Sequence, residues 1–416
     1  MSVYVKKLVA QAKENSFKLA NLSTVQKNKV LKAMAKALLD GREFILKENQ
    51  KDILLARKNN KKQSFIDRLT LNDARIKEMS VSLKQVAQLV DPVGGVFYEN
   101  TMANGAKVQK VRVPLGVVLI VYEARPNVTS DCIALLFKTS NLGILRGGRD
   151  AYNSNSAITT VLYRALRDSG IDFKPFFLVD KLDHRTVAEL LKQDAYIDIV
   201  IPRGGESLIR KVVKSSTIPV IKHYKGVCHI FVDSTADLKK ALKICINAKV
   251  QRPSVCNAVE TILVHEEVAS KFLPLLEKVF DIYGVQIRGD NKTHKLLKNS
   301  KLANKSDWSA EYLDLIVAIK VVKSVDQAIE HINTYGSRHT ESILTRNKVN
   351  ANKFLKEVDS ACCFLNISTR FSDGYQFGLG AEIGISTDKL HARGPMGLEE
   401  LTTYKWIVKG TGQIRT

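Results

Sequence analysis

The run LGVVLIVY (115–122) decides the fold class of this 416-residue chain. A short, continuously apolar run of this kind is typical of a parallel strand that helices cover on both faces. The run leads through EARPN (123–127) into a predicted helix near 128–140, and a second apolar strand, LGILRG (142–147), follows. Strands that alternate with helices at this spacing indicate βαβ units, and therefore an α/β fold with a doubly wound parallel sheet.

The same alternation extends along most of the remaining chain. The next predicted elements are Ala151–Ser169, FFLV (176–179), Thr186–Lys192, IDIVIP (197–202), a helix opened by PRGGESLIRKV (202–212) and the strand IPVIKHY (218–224). The pattern begins again at HIFVD (229–233) and continues with 236–249, 259–264, 266–280, LIVAIKVV (315–322), 324–334, ESILTRN (341–347), a further helix and ACCFLN (361–366). Because a chain of this length exceeds one ordinary core, the sequence predicts two compact α/β domains.

Different patterns flank these two α/β stretches. Residues 3–90 have the spacing of amphipathic helices, and Ser23 or Thr24 is placed to cap the one whose apolar positions are Val25, Val30, Leu31, Met34, Leu38 and Leu39. From Val96 to Val113 the pattern becomes strand-like, with a hairpin turn at Asn104-Gly105. The apolar strand LTTYKWIVKG (401–410) has no local partner, so it pairs either with this hairpin or with a neighbouring subunit.

Composition and charge narrow the class of protein. The chain is 45% hydrophobic and 25% charged, as in soluble globular proteins. It has neither a run near the roughly 18 apolar residues of a membrane span nor the apolar block of a signal peptide, so we predict a cytoplasmic location. The formal charge of +22 is spread along the chain without a nucleic-acid-binding signature. We therefore predict no nucleic-acid partner, and the charge suits phosphorylated ligands.

One of the six cysteines lies where chemistry is expected. None of them forms a C-x-x-C pair or a cluster at zinc-ligand spacing, so no metal site is predicted. A cysteine in a long intracellular chain is by default a buried small hydrophobe. Cys256, however, lies in QRPSVCNAVETILVH (251–265), after a loop with Pro and Ser and before a strand of the second domain. Clefts form at such domain junctions.

Several further segments occur with Cys256 in one order. They are VPLGVVLIVYEARPNV (113–128), ILRGG (144–148), IPRGG (201–205), HYKGVCH (223–229), RPSVCNAVET (252–261), EYLDLI (311–316), INTYGSRHTESI (332–343), RFSDGYQFGLGAEIGIST (370–387) and HARGPMGLEELTTYKW (391–406). Together they resemble the gamma-glutamyl phosphate reductases, a branch of the aldehyde dehydrogenase superfamily, over nearly the whole chain. The resemblance implies an aldehyde dehydrogenase-like architecture of two doubly wound α/β domains plus a small oligomerisation hairpin. In this chain it predicts a cofactor-binding domain at 1–100 and 115–228, a catalytic domain at 229–380, and an oligomerisation element at 101–114 and 400–411.

The resemblance also implies a reaction and its nucleophile. NADPH would reduce L-glutamate 5-phosphate to L-glutamate 5-semialdehyde and phosphate, in proline biosynthesis, through a thioester on Cys256. A thiolate suits this because it is a strong nucleophile and a fair leaving group. The oxyanion would be bound by the backbone N–H of Cys256 and by the side chain of Asn127, with Asn257 as the alternative; Asn127 also suits the plain role of closing a turn. Because HYKGVCHIF (223–231) lacks the carboxylate base of enzymes that hydrolyse the thioester, we expect phosphate rather than water to react.

The resemblance further implies which residues bind the cofactor and the substrate. Gly204 and Gly205 match the loop over the coenzyme pyrophosphate, and Glu311 matches the glutamate that holds the nicotinamide ribose. Arg146 and Arg149 lie where the adenosine ribose binds, and an Arg at 149 favours the 2′-phosphate of NADP(H). Ordinary surface roles for Arg149 and Glu311 stay open, as does a structural role for His339. Candidates for the substrate's anionic groups are Arg125, Arg252, His339, Ser368, Thr369 and Arg370.

Two other functions stay open for this sequence, and its partners can be predicted. Another acylating aldehyde dehydrogenase, using acyl-CoA or a different acyl phosphate, would share Cys256 but should lack the HARGPMGLEELTTYKW ending. The intact Cys256 segment argues against a binding protein whose active site is no longer functional. We predict a small-molecule substrate, a homo-oligomer (dimer or tetramer) and no membrane partner, with glutamate 5-kinase as a candidate functional partner.

Overall fold

A computed structural model describes residues 1–415, apart from the side chain of Ser64. Among the helices of these residues, none combines the length and apolar character needed to cross a membrane. Short 3₁₀ helices lie at Arg149–Ala151, Lys305–Ser309 and Thr369–Phe371. The α-helices are α1 (Val3–Ala20), α2 (Thr24–Asp40), α3 (Arg42–Lys58), α4 (Gln63–Leu69), α5 (Asp73–Gln88), α6 (Pro126–Lys138), α7 (Tyr152–Asp168), α8 (His184–Leu190), α9 (Glu206–Ser215), α10 (Leu238–Val250), α11 (Glu266–Ile282), α12 (Asn291–Leu296), α13 (Val325–Tyr335) and α14 (Lys348–Glu357).

The strands of the described residues form four sheets. In chain order they are β1 (Val96–Thr101), β2 (Lys107–Pro114), β3 (Val117–Tyr122), β4 (Leu142–Arg146), β5 (Phe176–Leu178), β6 (Ile199–Arg203), β7 (Cys228–Val232), β8 (Val259–His265), β9 (Gln286–Gly289), β10 (Ser300–Leu302), β11 (Ile316–Val322), β12 (Thr340–Leu344), β13 (Cys362–Leu365), β14 (Ile385–Ser386), β15 (Gly394–Pro395) and β16 (Thr402–Lys409).

The chain divides into two compact units. Unit 1 comprises Met1–Lys222, Gly378–Gly384 and residues 396–415, and unit 2 comprises His223–Phe377 and Ile385–Pro395. Two C-terminal segments thus belong to unit 1, although most of the residues between 223 and 395 belong to unit 2.

A four-stranded parallel sheet of order β5-β4-β3-β6 lies in unit 1. Every residue of β3 is buried, as predicted from the LGVVLIVY run. The chain passes from β3 outward to β4 and β5 and then returns to β6 on the other side of β3. The sheet therefore has a topological switch point between β3 and β6, and ligands of open α/β sheets bind outside the carboxyl ends of strands at such a point.

The N-terminal helices confirm the predicted helical spacing, except that Val25 and Leu39 lie outside the buried stripe of α2. Ser23 caps α2 through a capping box with Gln26. Val25 is 78% exposed, and the buried apolar stripe of α2 is formed by Val30, Leu31, Met34, Ala35 and Leu38. Val25 lies in the first turn, outside this stripe.

The prediction of a strand at 218–224 is wrong. The segment makes only an isolated parallel bridge between Val220 and Val200. Its hydrogen bonds there are Val200 N–H to the Pro219 carbonyl (2.9 Å) and Ile221 N–H to the Val200 carbonyl (3.0 Å). Because Pro219 has no N–H to donate, a ladder cannot continue through it.

The three-stranded antiparallel sheet of unit 1 has the order β1-β2-β16. Gly105 adopts φ +84° in the predicted turn, where glycine avoids a steric penalty. β16 pairs with β2 over its whole length, from Thr402 opposite Pro114 to Lys409 opposite Lys107. The C-terminal strand therefore pairs with the hairpin of its own chain, one of the two predicted alternatives.

A seven-stranded parallel sheet of order β10-β9-β11-β8-β7-β12-β13 forms the core of unit 2. β7 and β8 are buried along their whole length and lie side by side. The segment 286–302, with β9, α12 and β10, was not predicted, because its strands are short and carry charged residues. Since β7 and β8 are parallel, their amino-terminal ends meet at one edge of the sheet.

Candidate active site

Cys256 lies at that edge of the unit 2 sheet, in the loop between α10 and β8. Its side chain is half-buried. A turn closes the loop, in which the Ala258 N–H donates to the Val255 carbonyl at 3.1 Å. Gly226, just before β7, packs so tightly here that a Cβ on it would lie 2.0 Å from the Cys256 carbonyl oxygen. Only glycine therefore allows this approach of the two backbones.

The amide side chain of Asn257 is held by its neighbours. Its Nδ2 donates to the Ser372 carbonyl at 2.8 Å, and its Oδ1 accepts from the Arg370 guanidinium. Arg370 Nε also donates to Gln251 Oε1 at 2.8 Å. These contacts engage both ends of the Asn257 amide with protein groups, which weighs against its alternative role as the oxyanion donor.

Two candidate substrate cations lie at this loop: Arg252 belongs to it, and Arg370 is bonded to its Asn257. Burial, and then the nearby charge of Arg252, lower the pKa of the Arg370 guanidinium. Arg252 itself is exposed. Ser368 and Thr369 come immediately before Arg370, where the Ser368 Oγ accepts from the Arg370 N–H at 3.3 Å and the side chain of Thr369 is buried.

Glu311 and His339 reach the same loop through the residues around β7. Glu311 Oε1 accepts from the Gly226 N–H at 2.8 Å. His339 is fully buried, and its Nδ1 lies 3.6 Å from the sulfur of Cys228. Cys228 in turn contacts the Cys256 carbonyl. Unit 2 thus gathers Cys256, Glu311, His339 and Arg370 around one loop.

Asn127 and Arg125 lie at the start of α6 in unit 1. Both are exposed. Asn127 Nδ2 donates to Asp131 Oδ2, one helical turn further on, at 3.2 Å. Burial raises the pKa of Asp131 to about 6, although its hydrogen bonds with Asn127 and Ser82 oppose that rise. The amide of Asn127 is therefore oriented by a carboxyl group whose pKa is raised by burial.

The switch point of the unit 1 sheet carries the glycine loop. Gly205 caps α9, and its N–H donates to Glu123 Oε1 at 2.8 Å. A Cβ on Gly204 would lie 2.7 Å from the Glu123 carboxylate carbon. A carboxylate thus occupies the N-terminus of α9, as expected of a site that binds anions. The loop fits a dinucleotide pyrophosphate, which would compete with Glu123.

A cavity of about 210 Å³ adjoins this loop within unit 1. Its apolar walls include Val187 and Leu191 near α8 and Leu208 and Val212 of α9. Three basic side chains, those of Arg146, His184 and Lys211, also line it. An apolar slot with basic groups suits a purine nucleotide that carries phosphate.

The two arginines predicted for the ribose differ in their surroundings. Arg146 ends β4 and is buried, and it donates to the Leu182 carbonyl at 2.8 Å. Burial, followed by the charge of Arg149, lowers its pKa. Arg149 is exposed and begins a 3₁₀ helix. Backbone carbonyls therefore hold Arg146 at the wall of the cavity, while the side chain of Arg149 faces solvent.

Sequence reasoning did not single out Gly226, Cys228, Glu123, His184 or Lys211. Gly226 and Cys228 stood inside the quoted HYKGVCH segment, but nothing in their spacing indicates a contact with residue 256. His184 and Lys211 are far apart in sequence, so only the fold brings them to one cavity. Groups of three or more side chains suited to bind a metal are absent from residues 1–415, apart from the side chain of Ser64.

Comparison with known proteins shows the family and the fold of the chain. The chain belongs to the aldehyde dehydrogenase family, whose profile matches residues 2–293. An acetylating aldehyde dehydrogenase from Geobacillus thermoglucosidasius has the same fold, with a TM-score of 0.70 at 16% identity over 99% of this chain and 98% of that one. The predicted aldehyde dehydrogenase-like α/β architecture is therefore confirmed.

Within that family the chain belongs with the gamma-glutamyl phosphate reductases. The enzyme of that name from Caldanaerobacter subterraneus is 52% identical over 100% of both chains. The one from Thermodesulfovibrio yellowstonii is 52% identical over 97% of each. The crystal structure of the gamma-glutamyl phosphate reductase from Thermotoga maritima matches 99% of this chain and 100% of its own, with a TM-score of 0.97 and 47% identity. These relatives confirm the resemblance drawn from the sequence.

Proposed function

We propose that this chain reduces L-glutamate 5-phosphate to L-glutamate 5-semialdehyde and phosphate, a step of proline biosynthesis in the cytoplasm. The observation that carries the proposal is the half-buried thiol of Cys256 on a loop held against Gly226. The membership of the chain among the gamma-glutamyl phosphate reductases supports an acyl phosphate as the substrate.

The chemistry at Cys256 divides the reduction into two steps. The thiolate attacks the acyl carbon, the carbon–oxygen bond to phosphate breaks, and a thioester forms as phosphate leaves. When bound, a nicotinamide cofactor would supply the hydride that reduces the thioester. The resulting oxyanion would accept hydrogen bonds from the Cys256 N–H and Asn127. When it collapses, the carbon–sulfur bond breaks, the aldehyde is released and the thiolate is regenerated.

Water should compete poorly with phosphate for the thioester. The segment 223–231 beside Cys256 has no carboxylate. Three nearby glutamates are engaged by protein groups: Glu311 accepts from the Gly226 N–H, Glu341 accepts from the His229 N–H, and Glu260 pairs with Lys249 at 2.6 Å. None of the three is therefore arranged as a base for water, and this favours a reversible, phosphorylating reaction.

Family membership implies a nicotinamide cofactor. We propose that Gly204 and Gly205 hold its pyrophosphate, Glu311 its nicotinamide ribose, and Arg146 and Arg149 the region of its adenosine ribose. NADP(H) rather than NAD(H) is supported by the basic residues Arg146, His184 and Lys211 in the cavity and by the exposed Arg149. A 2′-phosphate would place an anion among these groups.

The remaining binding roles are proposals of the same kind. Cations and donors for the substrate's carboxylate and phosphate would come from Arg125, Arg252, His339, Ser368, Thr369 and Arg370.

We also propose a homo-oligomer that assembles through the β1-β2-β16 sheet, whose residues Tyr404 and Trp406 are 47% and 53% exposed. Glutamate 5-kinase, whose chemistry makes an acyl phosphate from a carboxylate, is the proposed functional partner.

An omission assay tests the reaction in the oxidative direction. Glutamate semialdehyde, NADP+ and phosphate together should give NADPH, and leaving out any one of them should stop its formation. Replacing phosphate by coenzyme A tests the acyl-CoA alternative. Turnover with coenzyme A and none with phosphate would favour that alternative over the proposed function.

Cys256→Ser tests the covalent mechanism. Turnover should fall by several orders of magnitude, because serine is a far weaker nucleophile without a neighbouring base. Circular dichroism and NADPH binding should stay unchanged. Cys363→Ser is the matched control, since Cys363 is also half-buried. Substantial residual activity in Cys256→Ser would remove the thioester from the mechanism.

A further inference from the structure

Cys228, the first residue of β7, contacts the backbone of Cys256. Its sulfur lies 3.2 Å from the Cys256 carbonyl oxygen, with the thiol as donor. The side chain is fully buried. Burial, and next the charge of Glu341, hold the pKa of this thiol well above its usual value. Cys228 therefore keeps its proton and can donate it at neutral pH.

Both peptide groups that flank the α-carbon of Cys256 are held. On the C-terminal side, the Cys256 carbonyl accepts from the Cys228 thiol at 3.2 Å. On the N-terminal side, the Val255 carbonyl accepts from the Ala258 N–H at 3.1 Å. Since these two planes fix φ and ψ of residue 256, they also fix the directions of its Cβ and of its N–H. Those directions aim the nucleophilic sulfur and an oxyanion donor.

The segment that carries Cys228 is itself anchored by side chains from elsewhere in unit 2. The Val227 N–H donates to Ser337 Oγ at 2.8 Å. The His229 N–H donates to Glu341 Oε2 at 2.6 Å, and His229 Nδ1 lies 3.0 Å from the same oxygen. Glu341 is fully buried, so this bond is shielded from water. Residues 227 and 229 are thus pinned on both sides of Cys228.

His339 lies next to the sulfur of Cys228 and adds one more contact to it. Its Nδ1 lies 3.6 Å from the Cys228 sulfur and 2.9 Å from Thr340 Oγ1. With a proton on Nδ1, His339 donates towards the sulfur, which leaves the single thiol proton for the Cys256 carbonyl. A cysteine suits the place between them because its sulfur both accepts and donates.

We infer that Cys228 is a positioning residue for the nucleophile: its buried thiol fixes the peptide of Cys256 and thereby aims the Cys256 sulfur and N–H. The inference rests on the proposed function for the role of Cys256.

Three substitutions in the full-length chain test the inference. Cys228→Ala and Cys228→Val remove the donor, and valine also keeps the site filled if alanine impairs folding. Cys228→Ser retains a donor. Cys245→Ala is the matched control, because Cys245 is equally buried but lies in the hydrophobic core of unit 2. The quantities that decide are kcat and KM for glutamate semialdehyde, and the amide hydrogen exchange of residues 255–258 without substrate.

In Cys228→Ala and Cys228→Val, kcat should fall about three- to tenfold with KM unchanged, the range expected for one hydrogen bond. Amide exchange at 255–258 should rise by a similar factor. Cys228→Ser should recover most of kcat, and Cys245→Ala should match the wild type in both measurements. Wild-type kcat and wild-type exchange in both donor-free variants would overturn the inference. The exchange measurement needs no substrate, so it still decides the question if the wild type fails the omission assay.

Discussion

At the scale of single residues, Arg149 is placed to discriminate between the two nicotinamide cofactors. Its side chain is exposed beside Gly148, which lines the unit 1 cavity. Arg149→Glu should lower kcat/KM for NADPH by about tenfold or more while leaving kcat/KM for NADH equal or higher. A carboxylate repels a 2′-phosphate and can accept from a 2′-hydroxyl. The measurement is the ratio of the two kcat/KM values.

Lys211→Ala separates the contribution of the cavity from that of Arg149. If the ratio of kcat/KM values changes in Lys211→Ala but not in Arg149→Glu, the discriminating charge lies in the cavity, and the role predicted for Arg149 is wrong. Binding of adenosine 2′,5′-bisphosphate compared with adenosine 5′-monophosphate gives the same answer without catalysis.

Asp131 links the stability of unit 1 to pH. Burial raises its pKa from 3.8 to about 6, so ionisation is less favourable in the folded state than in the unfolded chain. The resulting loss of stability is absent below about pH 4, grows as pH rises through 6, and is complete above that value. Asp131→Asn should therefore raise the unfolding temperature by a few degrees at pH 8, with a gain that disappears near pH 4.

The same substitution should lower turnover. Asp131 accepts from Asn127 Nδ2 at 3.2 Å, so a neutral amide at 131 orients the proposed oxyanion donor less well. Calorimetry at pH 8 and pH 4, beside kcat at pH 8, gives both quantities. An unfolding temperature that changes equally at both pH values would show that the carboxylate charge is not the cause.

At the scale of elements, β16 should carry assembly. Its pairing with β2 satisfies its backbone within the chain, yet Tyr404, Trp406 and Val408 remain 47%, 53% and 59% exposed. Tyr98 packs edge-on against Trp406 with ring centroids 5.8 Å apart, which extends the aromatic surface. Deleting residues 401–416 should yield monomer or insoluble protein, as measured by sedimentation.

Two further variants separate assembly from folding. A chain that ends at Lys409 keeps all of β16 and should sediment like the intact protein. Tyr404→Lys combined with Trp406→Lys keeps the strand but replaces exposed aromatic surface with charge, so it should give soluble monomer. If the double variant still sediments as the wild type does, another surface holds the oligomer.

At the scale of the whole molecule, the net charge of +22 should attract the anionic substrate and cofactor. Raising the ionic strength from about 0.01 to 0.2 M shortens the Debye length from about 30 Å to under 10 Å. We expect kcat/KM for NADPH to fall severalfold over this range. The rate at which neutral iodoacetamide alkylates Cys256 should change little. An unchanged kcat/KM would show that the charge does not guide association.

Much of the fold could be predicted from local sequence patterns. The apolar runs at 115–122 and 259–264, the Ser23 cap and the Asn104-Gly105 turn each depend on neighbours within a few residues. The strand predicted at 218–224 was wrong because the apolar residues of this segment resemble a strand, while Pro219 interrupts the hydrogen-bond ladder. The strands at 286–302 were missed because three or four residues carry too little pattern to read.

The sequence by itself determined the α/β class, the family and the choice of Cys256, because those follow from contiguous segments and their order. Only the tertiary structure decided what surrounds that thiol. Gly226 and Cys228 meet Cys256 because β7 and β8 are parallel neighbours that begin at the same edge. Likewise, His184 of α8 and Lys211 of α9 come to one cavity because the fold brings these two helices together beside the last residues of β3 and β4. Such contacts join residues far apart in the chain, and no spacing in a single sequence encodes which of them will touch.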